Sequence, residues 1–146
     1  MTAYPRLTVV TLGVRDFAES VRFYETLGFV RKMRATGDEI AFFDAGGVVL
    51  ALFRWKDLAA DAKIAAEPEP VAFRGMTLAW NRASTEEVDE GLTRAVKAGA
   101  TLLKPAQKTD YGGYAAYFAD PDGHVWEVVQ APGMAFTEDG RLVLPD

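Results

Sequence analysis

Tyr117-Phe118-Ala119-Asp120-Pro121-Asp122-Gly123-His124-Val125-Trp126-Glu127 is the stretch that decides how this chain folds. Its centre, Asp-Pro-Asp-Gly, is a strong turn sequence. Proline presets φ, aspartate side chains bond the backbone two residues on, and glycine tolerates positive φ. Apolar runs flank the turn, so residues 114–119 and 124–130 are expected to be paired antiparallel strands. Working back towards the N-terminus, residues 101–104 read as a short strand stopped by Pro105. Before that, Val88, Leu92 and Val96 recur at helical spacing, with Ser84-Thr85-Glu86-Glu87 as a capping box and Gly99 as the stop. Residues 76–81 make one more strand. The order is strand, helix, strand, strand, strand.

The same order comes earlier in the chain. Residues 7–14 read as a β-branched strand. Asp16 and Glu19 have capping-box spacing, and Phe17, Val21, Tyr24 and Leu27 form one buried helical stripe ended by Gly28. Residues 30–36, 40–44 and 48–53 read as strands, the last two joined by Gly46-Gly47. Ser84 lies 68 positions beyond Asp16, and Gly123 lies 76 beyond Gly47, the spacing of an internal duplication. Neither half alone covers both faces of its sheet. The expected fold is therefore α+β: two βαβββ modules forming a curved mixed sheet around a cleft, with helices on the outer face. Residues 1–146 are read as one domain, with module 1 at 5–54, a linker at 55–75, module 2 at 76–130 and a tail at 131–146. Within the linker, residues 56–66 are alanine-rich and suit a helix, whereas Glu67-Pro68-Glu69-Pro70 cannot continue one.

Composition removes several classes of function. The chain has 146 residues, with 16 Lys and Arg against 21 Asp and Glu, a net charge of −5. That is the wrong sign for a protein that grips nucleic acid through phosphates. It has no cysteine and one histidine, His124, which removes thiolate metal sites, disulfides and thiol nucleophiles. Ser20 lies inside a helix and Ser84 caps one, so neither suggests a nucleophile. Gly46-Gly47 and Gly112-Gly113 lack the lysine and following helix of a phosphate loop. No apolar run approaches a membrane span, and residues 1–6 have no signal-peptide character; a cytoplasmic protein is expected.

The paired plan resembles the vicinal oxygen chelate superfamily, which holds glyoxalase I, extradiol dioxygenases and the bleomycin-resistance proteins. The resemblance spans residues 7–130. It rests on Leu12-Gly13-Val14-Arg15-Asp16 leading into Phe23-Tyr24-Glu25-Thr26-Leu27-Gly28-Phe29, and on Tyr117 to Glu127 as quoted above. It implies four metal-ligand positions, on the first and last strand of each module. Here they fall on Val9, Ala51, Thr77 (Met76 with a one-residue slip) and Glu127. Only Glu127 can bind a metal firmly, and a divalent ion wants three or more ligands. The expectation is no metal and no cofactor. The resemblance also implies a homodimer, with or without exchange of modules.

Strand alternation suggests a site. If Ala119 pairs with His124, Tyr114 shares the face of Glu127, while Tyr117 faces the helix with Trp126. Thr11 and Asn81 project into the cleft if Val9 and Thr77 do. Tyr111 sits in a glycine-flexed segment at the cleft mouth, and Trp55 offers a stacking surface. Glu127, Thr11, Asn81 and Tyr114 are thus expected to line one pocket, joined by Trp55 and Tyr111, with Glu127 as its acid or base. His124 is read as a turn-capping residue. The function expected is metal-independent binding of a small organic molecule, cationic if the acidic cleft is a guide. The alternative is a metal-free lyase, isomerase or dioxygenase-like enzyme using Glu127 as general base. Sequence alone leaves open whether the protein is an enzyme.

Overall fold

The computed structural model describes residues 4–69 and 71–146; Pro70 of the linker motif and residues 1–3 lie outside them. The first module runs β1 (Val9–Val14), α1 (Phe17–Leu27), β2 (Val30–Lys32), β3 (Ile40–Asp44) and β4 (Val49–Arg54). α2 (Trp55–Asp61) follows directly. The second module repeats the order as β5 (Leu78–Asn81), α3 (Thr85–Ala98), β6 (Thr101–Lys108), β7 (Tyr114–Ala119) and β8 (Val125–Gln130). The strands form two four-stranded mixed sheets of matching order, β1-β4-β3-β2 and β5-β8-β7-β6. β9 (Ala135–Phe136) and β10 (Leu142–Val143) pair antiparallel in the tail.

Local chemistry explains the helices. The Asp16 carboxylate accepts the Glu19 N–H at the start of α1, and Ser84 Oγ accepts the Glu87 N–H at the start of α3. Gly28, at φ 121°, ends α1 with its N–H directed at the Tyr24 and Glu25 carbonyls, a conformation a Cβ would strain. Leu12, Val14, Leu50, Leu52 and Phe43 alternate onto the face of the first sheet that meets α1. Phe118 and Trp126 do so in the second. With Phe23, Tyr24, Leu27, Ala95 and Ala98 they make one core that joins the modules. Burying each large side chain there contributes about 1.5–3 kcal/mol.

Several boundaries differ from the sequence reading. β6 continues past Pro105, because it is the outer strand of its sheet and its register with β7 slips between Lys104 and Gln107, which leaves Pro105 in an irregularity where no ladder bond is required of it. β2 stops at Lys32. Met33 turns left-handed (φ 48°) and Arg34–Thr36 forms a 3₁₀ turn where strand was expected. β5 begins at Leu78 instead of residue 76, and α2 ends at Asp61. Most consequential is β8, which begins at Val125. Asp120 and His124 close the loop between them through Asp120 N–H to His124 O, so Ala119 pairs with Val125 and not with His124.

Candidate ligand-binding site

The Asp120–His124 loop docks onto the first module. Asp122 accepts the Arg15 N–H at 2.9 Å and the Ser20 hydroxyl at 3.0 Å. Asp120 accepts the Tyr24 hydroxyl at 2.6 Å, and Trp126 Nε1 donates to that same hydroxyl at 3.1 Å. The N–H groups of Asp122 and His124 occupy the other Asp120 oxygen. Burial raises the Asp120 carboxyl above its usual range, against the opposing hydrogen bonds. Burial, then the charge of Asp120, pushes the Tyr24 phenol well up. These groups hold the modules in register.

His124 lies in this junction, and its ring does more than cap a turn. Nε2 lies 2.8 Å from the Gly13 carbonyl and Nδ1 lies 3.0 Å from Arg74 Nη1. A carbonyl only accepts and a guanidinium only donates, so the pairing assigns the proton to Nε2 and leaves Nδ1 as acceptor. Arg74 also donates to the Asp122 carbonyl at 2.7 Å, tying the linker to the loop. Trp55, held at the start of α2, stacks on His124 with ring centres 5.8 Å apart. The Arg15 and Arg74 guanidinium carbons lie 4.7 and 4.9 Å from its ring centre.

Gly13, Trp55, Arg74 and His124 form one side of a cavity of about 510 Å³ between the modules. β1 supplies Thr11 and Gly13, α2 supplies Leu58, the linker supplies Ile64 and Val71, and Met76 comes from just before β5. Val125 and His124 close it from the second module, and Glu67 and Glu69 add two carboxylates. The lining is dominated by carbon, with a few polar groups converging on it, the usual construction of a small-ligand pocket.

The six residues singled out from sequence do not come together. Thr11 and Trp55 line this cavity. Asn81 lines another, of about 430 Å³, with Trp80, Arg94 and Asp44, and its Nδ2 points at Met134 Sδ. Glu127, Tyr111 and Tyr114 line neither. The shifted register reverses the two tyrosines. Tyr114 turns towards α3 and donates to Asp89 at 2.8 Å, while Tyr117 stands directly across from Glu127. Burial first, then the charge and hydrogen bond of Glu127, raise the Tyr117 phenol, and the nearby exposed Tyr111 adds to this. Lys104 on β6 pairs with Tyr117, extending the row. Tyr117, His124 and Arg74 were the residues missed. Only His124, as the single histidine, carried a signal.

At the four implied ligand positions the chemistry is poor in donors. Val9 and Ala51 offer no donor, and Met76 and Thr77 precede β5. Among the described residues no three of His, Cys, Asp or Glu come together to hold an ion. The donor set does not fit a metal.

Duplicated βαβββ modules joined around a cavity define a two-module α+β fold. The match that makes this specific is to the glyoxalase/bleomycin resistance protein/dioxygenase superfamily, over residues 6–128, and the chain belongs to that superfamily. It is 34% identical over 124 residues to a metallothiol transferase FosB of Shouchella clausii, covering 82% of this chain and 75% of that one. The FosB of Lysinibacillus sphaericus is 31% identical over 115 residues, covering 79% and 74%. A glyoxalase-related enzyme from Fulvimarina pelagi superposes with a TM-score of 0.87 at 35% identity, over 98% of this chain and 100% of that one.

Proposed function

We propose that this protein binds a small, largely apolar organic molecule in the cavity beneath α2, without a catalytic metal. The observation that carries the reading is the cavity itself: about 510 Å³, walled by Trp55, Leu58, Ile64, Met76 and Val125. Arg74 uses Nη1 and Nη2 on His124 and the Asp122 carbonyl and lies over the Trp55 ring, keeping only its buried Nε without a partner, so Glu67 and Glu69 are the more available charges of the lining. They favour a ligand with a cationic end. Sequestration of this kind suits the bleomycin-resistance branch of the superfamily. The metallothiol transfer in the FosB names does not carry over readily, because Glu127 alone stands where a metal would need several donors. A cytoplasmic homodimer fits the reading. No helix among the described residues is long and apolar enough to cross a membrane.

The test is a calorimetric titration with small aromatic cations. Saturable binding in the native protein and its loss in Trp55→Ala are expected. Binding that survives Trp55→Ala unchanged would place the ligand elsewhere and defeat the proposal. The second reading, an enzyme using Glu127 as general base, is favoured by one observation: the carboxylate faces a phenol of raised pKa across β7 and β8.

A further inference from the structure

The first turns of α1 and the strands beside it enclose a shallow pocket of about 620 Å³, separate from the cavity under α2. Four arginines line it: Arg15, Arg22, Arg31 and Arg54. Arg31 and Arg54 hold their guanidinium carbons 5.8 and 5.6 Å from the ring centre of Phe17, which fixes both side chains against a buried aromatic. Their hydrogen bonds go to backbone carbonyls, Arg31 to Gly37 and Arg54 to Asp38. Arg31 Nε is buried without a partner. Among the described residues none of the four arginines forms an ion pair.

The acids nearby are mostly committed elsewhere. Asp16 caps its own helix through the Glu19 N–H, and Glu25 pairs with Arg34 at 3.0 Å. Asp38 is the remaining carboxylate of the lining. Four guanidinium groups thus face three carboxylates, one of them already paired with Arg34, which leaves this concave surface an excess of positive charge in a chain of net charge −5. Arg31 is half-buried with an unpartnered Nε and so attracts an anion more strongly than the exposed Arg15, Arg22 and Arg54, and the planar fork of arginine matches the paired oxygens of phosphate and carboxylate.

We infer that this pocket binds a small soluble molecule through a phosphate or carboxylate group, held by Arg31 and Arg54 with Arg22 at the rim, while Arg15 stays over Trp55. The acidic remainder of the chain disfavours an extended polyanion such as nucleic acid. The inference is independent of the cavity under α2.

Calorimetric titration with pyrophosphate and with citrate tests it. One saturable site per chain is expected, weakening as KCl is raised. Arg31→Gln and Arg54→Gln should each weaken binding by about tenfold or more, the loss of a charge-assisted hydrogen bond. Arg22→Glu lies on the exposed face of α1, leaves the fold intact and should weaken binding in the same direction. Lys97→Gln, on α3, should leave affinity unchanged. A parallel sedimentation assay with vesicles containing phosphatidic acid distinguishes a lipid headgroup from a soluble anion. Vesicle binding without binding of the free anions would overturn the inference. So would absence of saturable binding, or equal affinity in the native protein and Arg22→Glu.

Discussion

Across the first sheet, the row through Ala51 reads Thr11, Ala51, Phe42 and Lys32; across the second, the equivalent row through Glu127 reads Ala79, Glu127, Tyr117 and Lys104. The strand order and the parallel and antiparallel pairings are the same in both sheets. The caps also repeat, Asp16 with Gly28 and Ser84 with Gly99. What differs is the chemistry on the rows. The first offers an alcohol, a methyl group and a phenyl ring, and the second a carboxylate beside a phenol. Duplication has kept the signals that build each module and released the side chains that the build does not need. The connections differ as well, since α2 and the linker after β4 roof the cavity and β8 leads only into the tail hairpin.

The largest effect is expected where the modules meet. Trp126 and Leu50 occupy equivalent positions, each one residue before the row just compared. Leu50 lies in the shared core, and Trp126 in addition reaches Tyr24 by hydrogen bond and packs against Phe29. Trp126→Ala should cost about 3–5 kcal/mol and Leu50→Ala about 2–5 kcal/mol. Because the core is common, urea unfolding of both variants should remain a single transition, with fluorescence and circular dichroism coincident. Two separated transitions would show that the modules are independent and would break the reading of one joined core.

A smaller effect separates the two equivalent turns. Asp44 and Asp120 each accept a turn N–H, yet Asp44 is exposed and Asp120 is 3% exposed. Asp44→Asn should change stability by under about 0.5 kcal/mol. Asp120→Asn disturbs the bond from Tyr24 and should cost about 1–3 kcal/mol. The pH dependence has a definite sign. Burial raises the Asp120 carboxyl in the folded state above its unfolded value of 3.8, so folding favours the protonated acid. Its contribution is full below that unfolded value and is lost as pH rises through the folded one. The stability difference between native protein and Asp120→Asn should therefore be largest at the acid end and shrink with rising pH. Chemical denaturation from acid to neutral pH reads it directly, and a difference that grows with pH would contradict the assignment.

The periodic and capping signals made the framework legible. Phe17, Val21, Tyr24 and Leu27 marked a helix face, and Asp16, Ser84, Gly28 and Gly99 marked its ends. The site was less legible, for two physical reasons. A strand has a period of two, so counting His124 into β8 moved Tyr114 onto the wrong face and hid Tyr117; the closing bond from Asp120 N–H to His124 O could not be read from residue types. The cavity, moreover, depends on partners distant in sequence. Trp55, Arg74 and His124 meet only because the Asp120–His124 loop docks on α1, and no local pattern encodes that meeting. Pro105 misled for the opposite reason, being a strand breaker only where the N–H is needed.

The smallest effect is the most discriminating for function. Glu127→Gln removes the charge across from Tyr117 while keeping its shape. The variant should fold with stability within about 0.5 kcal/mol of the native protein, since no ion pair is lost among the described residues. The Tyr117 phenol, now raised by burial and by the Glu127 charge and hydrogen bond, should titrate nearer its ordinary value of 10.0. A phenol raised in the folded state contributes stability that is full below its unfolded value and lost as pH climbs through the folded one. In the variant that loss should be smaller and should be complete at a lower pH. Phenolate absorbance measured against pH checks the shift. Ligand binding under α2 should stay within twofold, because Glu127 does not line that cavity. Should affinity instead fall by roughly 1.5–3 kcal/mol, the loss of a hydrogen bond to a charged group, the ligand would sit on the Glu127 row and the cavity assignment would fail. Trp55→Ala in the same titration gives the opposite pattern if the cavity is the site, so the two variants together locate the ligand on one side of the comparison or the other.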